Sequence, residues 1–309
     1  MKILVGSTGF VGRNILEHGD FDAAYHRTDI QEAYGKKPDL LVYAGLPAAK
    51  FLANKNPEVD HRSIEEAERN IEKIQPRRLV LISTIDVLSN PVGADETTPI
   101  DTAQLEPYGL HRYELEQWVE DYRKDALIVR LPALFGRYLK KNFLFDFLHP
   151  IPQLLVEGKF QEFATAEHVL HEVYQRQDSG FYRYQPDVVS EEKETAIRDA
   201  FQRLHFSALN FTDSRSRYQF YDLSRLAGDI QTALKHEIPL LHLATEPLSA
   251  AEIYKALTGK TFINHLSKQP ADYDYRTKYA EFFGGADGYI QNQAEVMRSI
   301  RRFIQEESK

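Results

Sequence analysis

The sequence predicts an α/β protein, a doubly wound parallel sheet followed by a smaller mixed α/β region. Three observations lead there. Short β-branched apolar runs alternate with longer helix-compatible stretches through the first half of the 309 residues, a glycine-rich turn follows the first of those runs, and the alternation ends near Pro150.

The elements follow in order. Residues 2–5 (KILV), 39–44 (DLLVYA), 78–83 (RLVLIS) and 126–131 (ALIVRL) are short and apolar, so they read as strands buried on both faces. Residues 10–18, 62–74 (RSIEEAERNIEKI) and 109–124 lie between them and read as helices. Residues 22–26 (DAAYH) form a weaker strand. The span from Arg27 to Asp39 is very short for a full crossover, so one helix of the pattern should be cut down or missing. Beyond Pro150, residues 187–205, 248–257 and 290–306 read as helices, and 217–230 (RYQFYDLSRLAGDI) as a strand feeding a helix. No internal repeat or low-complexity segment interrupts the chain. The expected division is residues 1–150 as one domain and 151–309 as a second, with the strand and helix near 215–235 returning to the first.

Composition removes several classes of function. A net charge of -8 leaves no broad basic face for nucleic acid. No window approaches eighteen uncharged apolar residues, so no membrane-spanning helix is expected. The opening MKILVGSTGF turns to glycine before a signal-peptide apolar run can develop, which makes the cytoplasm the default compartment. With no cysteine there is no disulfide, thiolate metal site or thiol nucleophile. His168, His171 and Glu172 share one stretch, but without the spacing of a metalloprotease motif, so they read as a solvated face and no metal is expected.

Two stretches carry chemistry. In "GSTGFVG", Gly6, Gly9 and Gly12 stand three apart between an apolar strand and an amphipathic run. The first glycine permits a tight turn and the second lets backbone approach a pyrophosphate. The third packs the helix closely on its strand, with the helix N-terminus facing the phosphates. In "YGLHR", Tyr108 and Arg112 are four apart on one helical face. A free phenol titrates near 10, too high for an efficient base near neutral pH, and a neighbouring cation favours the phenolate.

With "GSTGFVG", "ISTIDV" at 82–87 and "PYGLHRYELE" at 107–116, the chain resembles the extended short-chain dehydrogenase/reductases, a Rossmann-type family of nucleotide-sugar epimerases, dehydratases and 4-keto-sugar reductases. The opening and "ISTIDV" look most like the dTDP-4-dehydrorhamnose reductase and UDP-galactose 4-epimerase branches, and the match covers about residues 1–145. The resemblance implies an NAD(P)-dependent enzyme that transfers hydride at carbon and moves a proton at oxygen. It implies that Gly6, Gly9 and Gly12, with Phe10 and Val11 in the turn, face the cofactor, and that Ala44, Gly45 and Pro132 lie beside it. Thr84 falls at the family's active-site Ser or Thr, and Tyr108 at its catalytic tyrosine. Arg112 stands where the family has lysine, which lowers the tyrosine pKa and hydrogen-bonds the nicotinamide ribose; arginine keeps the charge but spreads it over a larger planar head. Asn142 and Arg215 match positions that touch a sugar-nucleotide diphosphate. The resemblance also implies a homodimer through helices that include the tyrosine helix.

The cofactor reads as NADP, with NAD as the alternative. The second strand ends in "YHRTD", where an acid on the ribose would indicate NAD. Instead His26 and Arg27 could meet a 2′-phosphate, and Asp29 with Ile30 look like the family's adenine contacts. The substrate reads as a nucleotide-linked sugar, taken by an epimerase or a reductase. A reductase of another small carbonyl compound and a catalytically silent NADP-binding sensor or regulatory protein stay open. A dehydratase is disfavoured, because Thr84 is followed by Ile85 and a single acid, Asp86. Residues from about 160 to 212 exceed a minimal family member and are expected to shape the substrate pocket.

Overall fold

A computed structural model of the chain describes residues 1–308. Its first half runs β1 (Lys2–Val5), α1 (Phe10–His18), β2 (Ala23–Tyr25), β3 (Leu40–Tyr43), α2 (Lys50–Lys55), α3 (Pro57–Ile74), β4 (Leu79–Thr84), α4 (Pro107–Tyr122), β5 (Leu127–Leu131) and β6 (Ala133–Phe135). The second half runs α5 (Phe143–Leu148), β7 (Leu154–Val156), α6 (Glu157–Ala166), β8 (Tyr174–Arg176), β9 (Phe181–Tyr184), α7 (Glu191–Arg203), β10 (Arg217–Tyr218), β11 (Phe220–Asp222), α8 (Leu226–Lys235), β12 (Leu240–His242), β13 (Leu248–Ser249), α9 (Ala250–Thr258) and α10 (Gln293–Glu307). Among the described residues, no helix is long and apolar enough to cross a membrane.

Six strands form one parallel sheet in the order β2-β1-β3-β4-β5-β12. The buried runs do what their composition requires, presenting apolar side chains to both faces. Ile3, Tyr43 and Leu81 pack with Ile71 of α3 and Leu115 of α4. Leu4, Val42, Val80 and Val129 pack on the opposite face with Ile15 of α1 and Ile230 of α8. Burying each such side chain contributes roughly 1.5–3 kcal/mol. Between β2 and β3 the crossover helix shrinks to a single 3₁₀ turn, Ile30–Ala33, as the short span demands.

Helices α3 and α4 begin at Pro57 and Pro107, each proline in the first turn, where its missing N–H costs nothing. The stretch 217–230 becomes β10, β11 and α8; β11 pairs with β6, and α8 packs on the sheet face that α1 covers. Several features have no counterpart in the sequence pattern, among them α2, α6, the sixth strand β12, and an antiparallel sheet β7-β9-β8 with its own core around Phe160, Phe163 and Tyr174.

A buried polar chain fixes α4 to the sheet. Arg130 on β5 donates from Nε and Nη2 to Glu116 of α4, the latter at 2.6 Å, and from Nη1 to His242 Nε2 of β12 at 3.1 Å. Ser83 of β4 donates to Glu116 at 2.5 Å. His242 Nδ1 donates to the Arg276 carbonyl at 3.1 Å, so its ring is neutral, and burial with the adjacent Arg130 charge holds its pKa at about 3.

Candidate active site

The glycine turn forms at the C-terminal edge of the sheet. Gly6 has φ +96°, and a Cβ there would lie 2.3 Å from the Ala44 carbonyl oxygen. A Cβ on Gly12 would lie 2.0 Å from the Gly6 oxygen. Neither position accepts a side chain, because β3 and α1 approach the turn backbone directly. Gly6 and Ser7 donate their amides to the Tyr25 carbonyl at 2.8 and 3.1 Å, tying the turn to β2. Gly9 caps α1 and is exposed, as is Gly45, so the mouth opens to solvent. Phe10 and Val11 are half-buried against the core beneath it. A backbone cradle at a helix N-terminus, with no room for a Cβ at its two closest approaches, fits a dinucleotide pyrophosphate.

The loop after β2 is closed by its own side chains. Asp29 accepts from the His26 amide at 2.7 Å and pairs with the His26 ring at 3.3 Å. Thr28 hydrogen-bonds the same ring at 3.0 Å. Arg27 is exposed and, among the described residues, has no hydrogen-bond or ion-pair partner. Ile30 departs from its expected adenine contact: its side chain is buried in the core with Tyr25 and Ala33, because the shortened crossover folds it inward.

Thr84 ends β4, the neighbour of β3, and its Oγ1 accepts from the Asp86 amide at 3.2 Å to start a 3₁₀ turn over Ile85–Val87. Helix α4 lies directly on this turn, since a Cβ on Gly109 would stand 2.2 Å from the Asp86 carbonyl oxygen. Asn54 of α2 accepts from the Tyr108 amide at 2.9 Å, capping the helix that carries the phenol. Thr84 and Tyr108 are thereby brought together, with Tyr108 only 8% exposed. Burial pushes the phenol above its ordinary value; the Arg112 charge and the Thr84 hydroxyl oppose this, and the Asp86 and Asp60 charges add to it. The free protein therefore holds Tyr108 in its protonated form.

Arg112 does not point its head at the phenol oxygen. Its guanidinium lies over the Tyr108 ring, 4.4 Å from the centroid. Nη1 donates to Asp60 Oδ2 at 2.6 Å, and Nη2 donates to Asp60 Oδ1 at 3.0 Å and to the Pro47 carbonyl at 2.7 Å. His111 adds a third hydrogen bond to Asp60 at 2.9 Å. Burial pushes the Asp60 carboxyl up, but these donors outweigh it and hold the group below the usual carboxylate range.

One charged residue, Lys50, stands at the site without a motif to announce it, paired with the Asp86 of "ISTIDV". Lys50, at the start of α2, donates to Asp86 Oδ1 at 2.8 Å. Asp86 also interacts with Tyr273, whose phenol is pushed up by burial and by that carboxylate. A lone lysine past the third strand carries no local signal, and Asp86 lies 36 residues beyond it.

Next to this cluster lies a cavity of about 470 Å³ between α5, β7, α6 and β9, lined by Lys140, Lys141, Asn142, Asp146, Lys159 and Phe181 among others. Lys141 donates to the Ala48 carbonyl at 2.8 Å and feels the Asp86 charge, which joins the cavity to the site. Asn142, at φ 104°, caps α5 by accepting from the amides of Leu144 and Phe145, and donates to the Leu134 carbonyl at 2.8 Å. Burial lifts the Asp146 carboxyl to about 7. Pro132 joins β5 to β6, half-buried. Arg215 is engaged elsewhere: it forks onto Asp213 at 3.0 and 2.8 Å and donates to the Ser267 carbonyl at 2.6 Å. His171 packs its ring edge-on against Phe160, and Glu172 pairs with Lys193.

Fold and site together define a dinucleotide-type parallel sheet whose glycine turn and Thr–Tyr pair meet at one edge. No family model and no curated protein matches the sequence. Solved structures do match, over nearly the whole chain. A dTDP-4-dehydrorhamnose reductase from Bacillus anthracis in complex with NADP superposes with TM-score 0.63 at 15% identity, covering 99% of this chain and 97% of that one. A UDP-glucose 4-epimerase from Thermotoga maritima with UDP-glucose gives 0.59 at 11% identity, covering 99% and 98%. A short-chain dehydrogenase/reductase superfamily protein from Agrobacterium tumefaciens with bound NAD gives 0.61 at 15%, covering 99% and 96%. The chain thus has the fold of the extended short-chain dehydrogenase/reductases.

Proposed function

We propose that the protein is an NADP-dependent oxidoreductase or epimerase of a nucleotide-linked sugar, with NAD as the alternative cofactor, in which Tyr108 transfers the proton. The observation that carries this reading is the pairing of half-buried Thr84, at the end of β4, with the buried Tyr108, one strand from the β3 end that abuts Gly6. Gly6, Gly9 and Gly12 with the first amides of α1 would hold the pyrophosphate, Arg27 the 2′-phosphate, and Ala44, Gly45 and Pro132 the inner half. Bound there, the dinucleotide supplies or accepts the hydride. Thr84 would hold the substrate oxygen by a hydrogen bond, within reach of the phenol. Tyr108, protonated in the free protein, would give its proton to that oxygen, which suits the reductive direction. In this reading residues 1–150, with the segment near 215–235, hold the cofactor, and residues 151–309 supply the substrate wall. The cationic cavity beside Asn142 is suited to a diphosphate handle, with Lys140, Lys141 and Lys159 as donors.

One observation favours a second reading, a dinucleotide-binding protein without turnover: Asp60 neutralises Arg112 and leaves the phenol without an uncompensated cation from its own helix. NADPH and NADH titrations, followed by a panel of UDP- and dTDP-linked 4-keto sugars, separate the two. The enzyme reading expects NADPH oxidation with a member of the panel, reduced roughly 10²–10⁴-fold by Tyr108→Phe. Binding without NADPH-dependent reduction of any carbonyl substrate supports the silent protein, and no dinucleotide binding at all removes both.

A further inference from the structure

Tyr108 is ringed by charges from several elements. Arg112 lies on its own helix, Asp60 comes from α3, Asp86 follows β4, and Lys50 opens α2. Tyr273, between α9 and α10, and Lys141, ahead of α5, both act on Asp86, and His111 acts on Asp60. Arg112 is the charge that cannot follow a reaction. Three hydrogen bonds fix its two terminal nitrogens, it is 3% exposed, and Asp60 opposes part of its effect on the phenol. Lys50 is also paired with a carboxylate but is held more loosely. It makes one hydrogen bond, to Asp86; its side chain is 47% exposed; and it sits on a helix of six residues.

We propose that the Lys50–Asp86 ion pair, acting beside Arg112, is the mobile charge pair that positions and holds the proton of Tyr108. The inference rests on Tyr108 being the proton donor of the site. When the phenol O–H bond breaks, the proton passes to the substrate oxygen and the electron pair stays on the phenolate. Lys50 is the cation free to turn from Asp86 toward that new charge, and the Gly109 contact keeps the Asp86 turn against the tyrosine helix. Burial lowers the Lys50 pKa, but Asp86 more than offsets it, so the ammonium persists throughout.

The pair predicts opposite signs for its two members. Removing Lys50 leaves Asp86 uncompensated and disfavours phenolate; removing Asp86 leaves Lys50 alone and favours it. The test installs 3,5-difluorotyrosine at position 108, whose ring fluorines bring ionisation into the range where the protein is folded, and follows it by fluorine NMR without cofactor or substrate. Lys50→Met should raise the midpoint and Asp86→Asn lower it, each by about one pH unit or more. Lys50→Arg, which keeps the charge, should restore the unsubstituted midpoint. An unmoved midpoint in Lys50→Met, shifts of the same sign in both variants, or a Lys50→Arg protein that behaves like Lys50→Met would overturn the proposal. Because the titration uses no ligand, it can fail while dinucleotide binding and turnover stand, and loss of that reading would leave the titration intact.

Discussion

Arg112 forks onto Asp60, at 2.6 and 3.0 Å, with both side chains no more than 5% exposed. A residue whose place in the sequence suggests a partner for the phenol has become a clamp between α3 and α4. Breaking such a pair from one side strands a buried charge, so Asp60→Asn or Arg112→Leu should cost about 3–5 kcal/mol in urea unfolding. Arg112→Lys cannot reach both Asp60 oxygens and the Pro47 carbonyl at once, and should also destabilise. Because the Asp60 pKa is lowered on folding, its contribution is fully present above about pH 4 and lost as pH falls through the folded value. Stability of Arg112→Leu equal to the parent protein would refute the clamp.

Gly109 tests how closely the tyrosine helix must lie on the active-site turn. A methyl there would meet the Asp86 carbonyl at 2.2 Å, so Gly109→Ala should push α4 off the turn, part Thr84 from Tyr108, and destabilise by about 1–3 kcal/mol. Gly228, in α8, is the control, because a methyl added there would have nothing within 4 Å. Gly228→Ala should stabilise by about 0.4–1 kcal/mol. Thermal unfolding of the two variants checks both signs, and a neutral Gly109→Ala would show that the contact relaxes.

The parts of the fold legible in the sequence are those where local composition and burial agree. Residues 78–83 lie between strands in a covered sheet, so their apolar run is uninterrupted, and the glycine turn is visible because only Gly6 and Gly12 tolerate the approach of Ala44 and Gly6. Strand β12 was hidden by its length and by His242, a polar residue made acceptable inside by Arg130 and the Arg276 carbonyl. Helix α2 was hidden because Phe51 and Leu52 are exposed, leaving no apolar stripe. The identities of Thr84 and Tyr108 stand out through a motif, whereas their electrostatics do not. Asp60 is 52 residues from Arg112 and sits in a run of charges that reads as solvated. Pairings of that separation are set by α3 packing on α4, which no local window contains.

The buried His242 and the half-buried Asp146 titrate in opposite senses over the same range. His242 has its folded pKa lowered to about 3, so the unfolded chain binds the extra proton and stability falls as pH drops from about 6.5. Asp146 has its folded pKa raised to about 7, so the folded chain binds the extra proton and stability falls as pH rises from about 4. Relative to the parent protein, His242→Gln should remove the first slope and Asp146→Asn the second, each by up to about 1.4 kcal/mol per pH unit. Urea midpoints from pH 4.5 to 6.5, a window chosen at roughly the overlap of the two titrations, read the difference. Parallel curves for all three proteins would mean that neither group changes its proton affinity on folding.

Arg27 bears on cofactor choice, and the loop around it sharpens the prediction. Asp29, which the resemblance places at the adenine, is occupied by the His26 amide and ring. His26 in turn holds Thr28, so the loop is closed by its own hydrogen bonds while Arg27 stands exposed beside the cradle that β2 helps to form. A phosphate placed there would gain a charge-assisted hydrogen bond from Arg27, worth about 1.5–3 kcal/mol. Arg27→Ala should therefore weaken NADPH binding by about 10–100-fold and leave NADH within about twofold, as measured by nucleotide fluorescence titration. The preference should fade with added salt, because the contact is exposed. Equal losses for both nucleotides would place Arg27 on the shared part of the cofactor, and no loss for either would leave it a solvated loop residue.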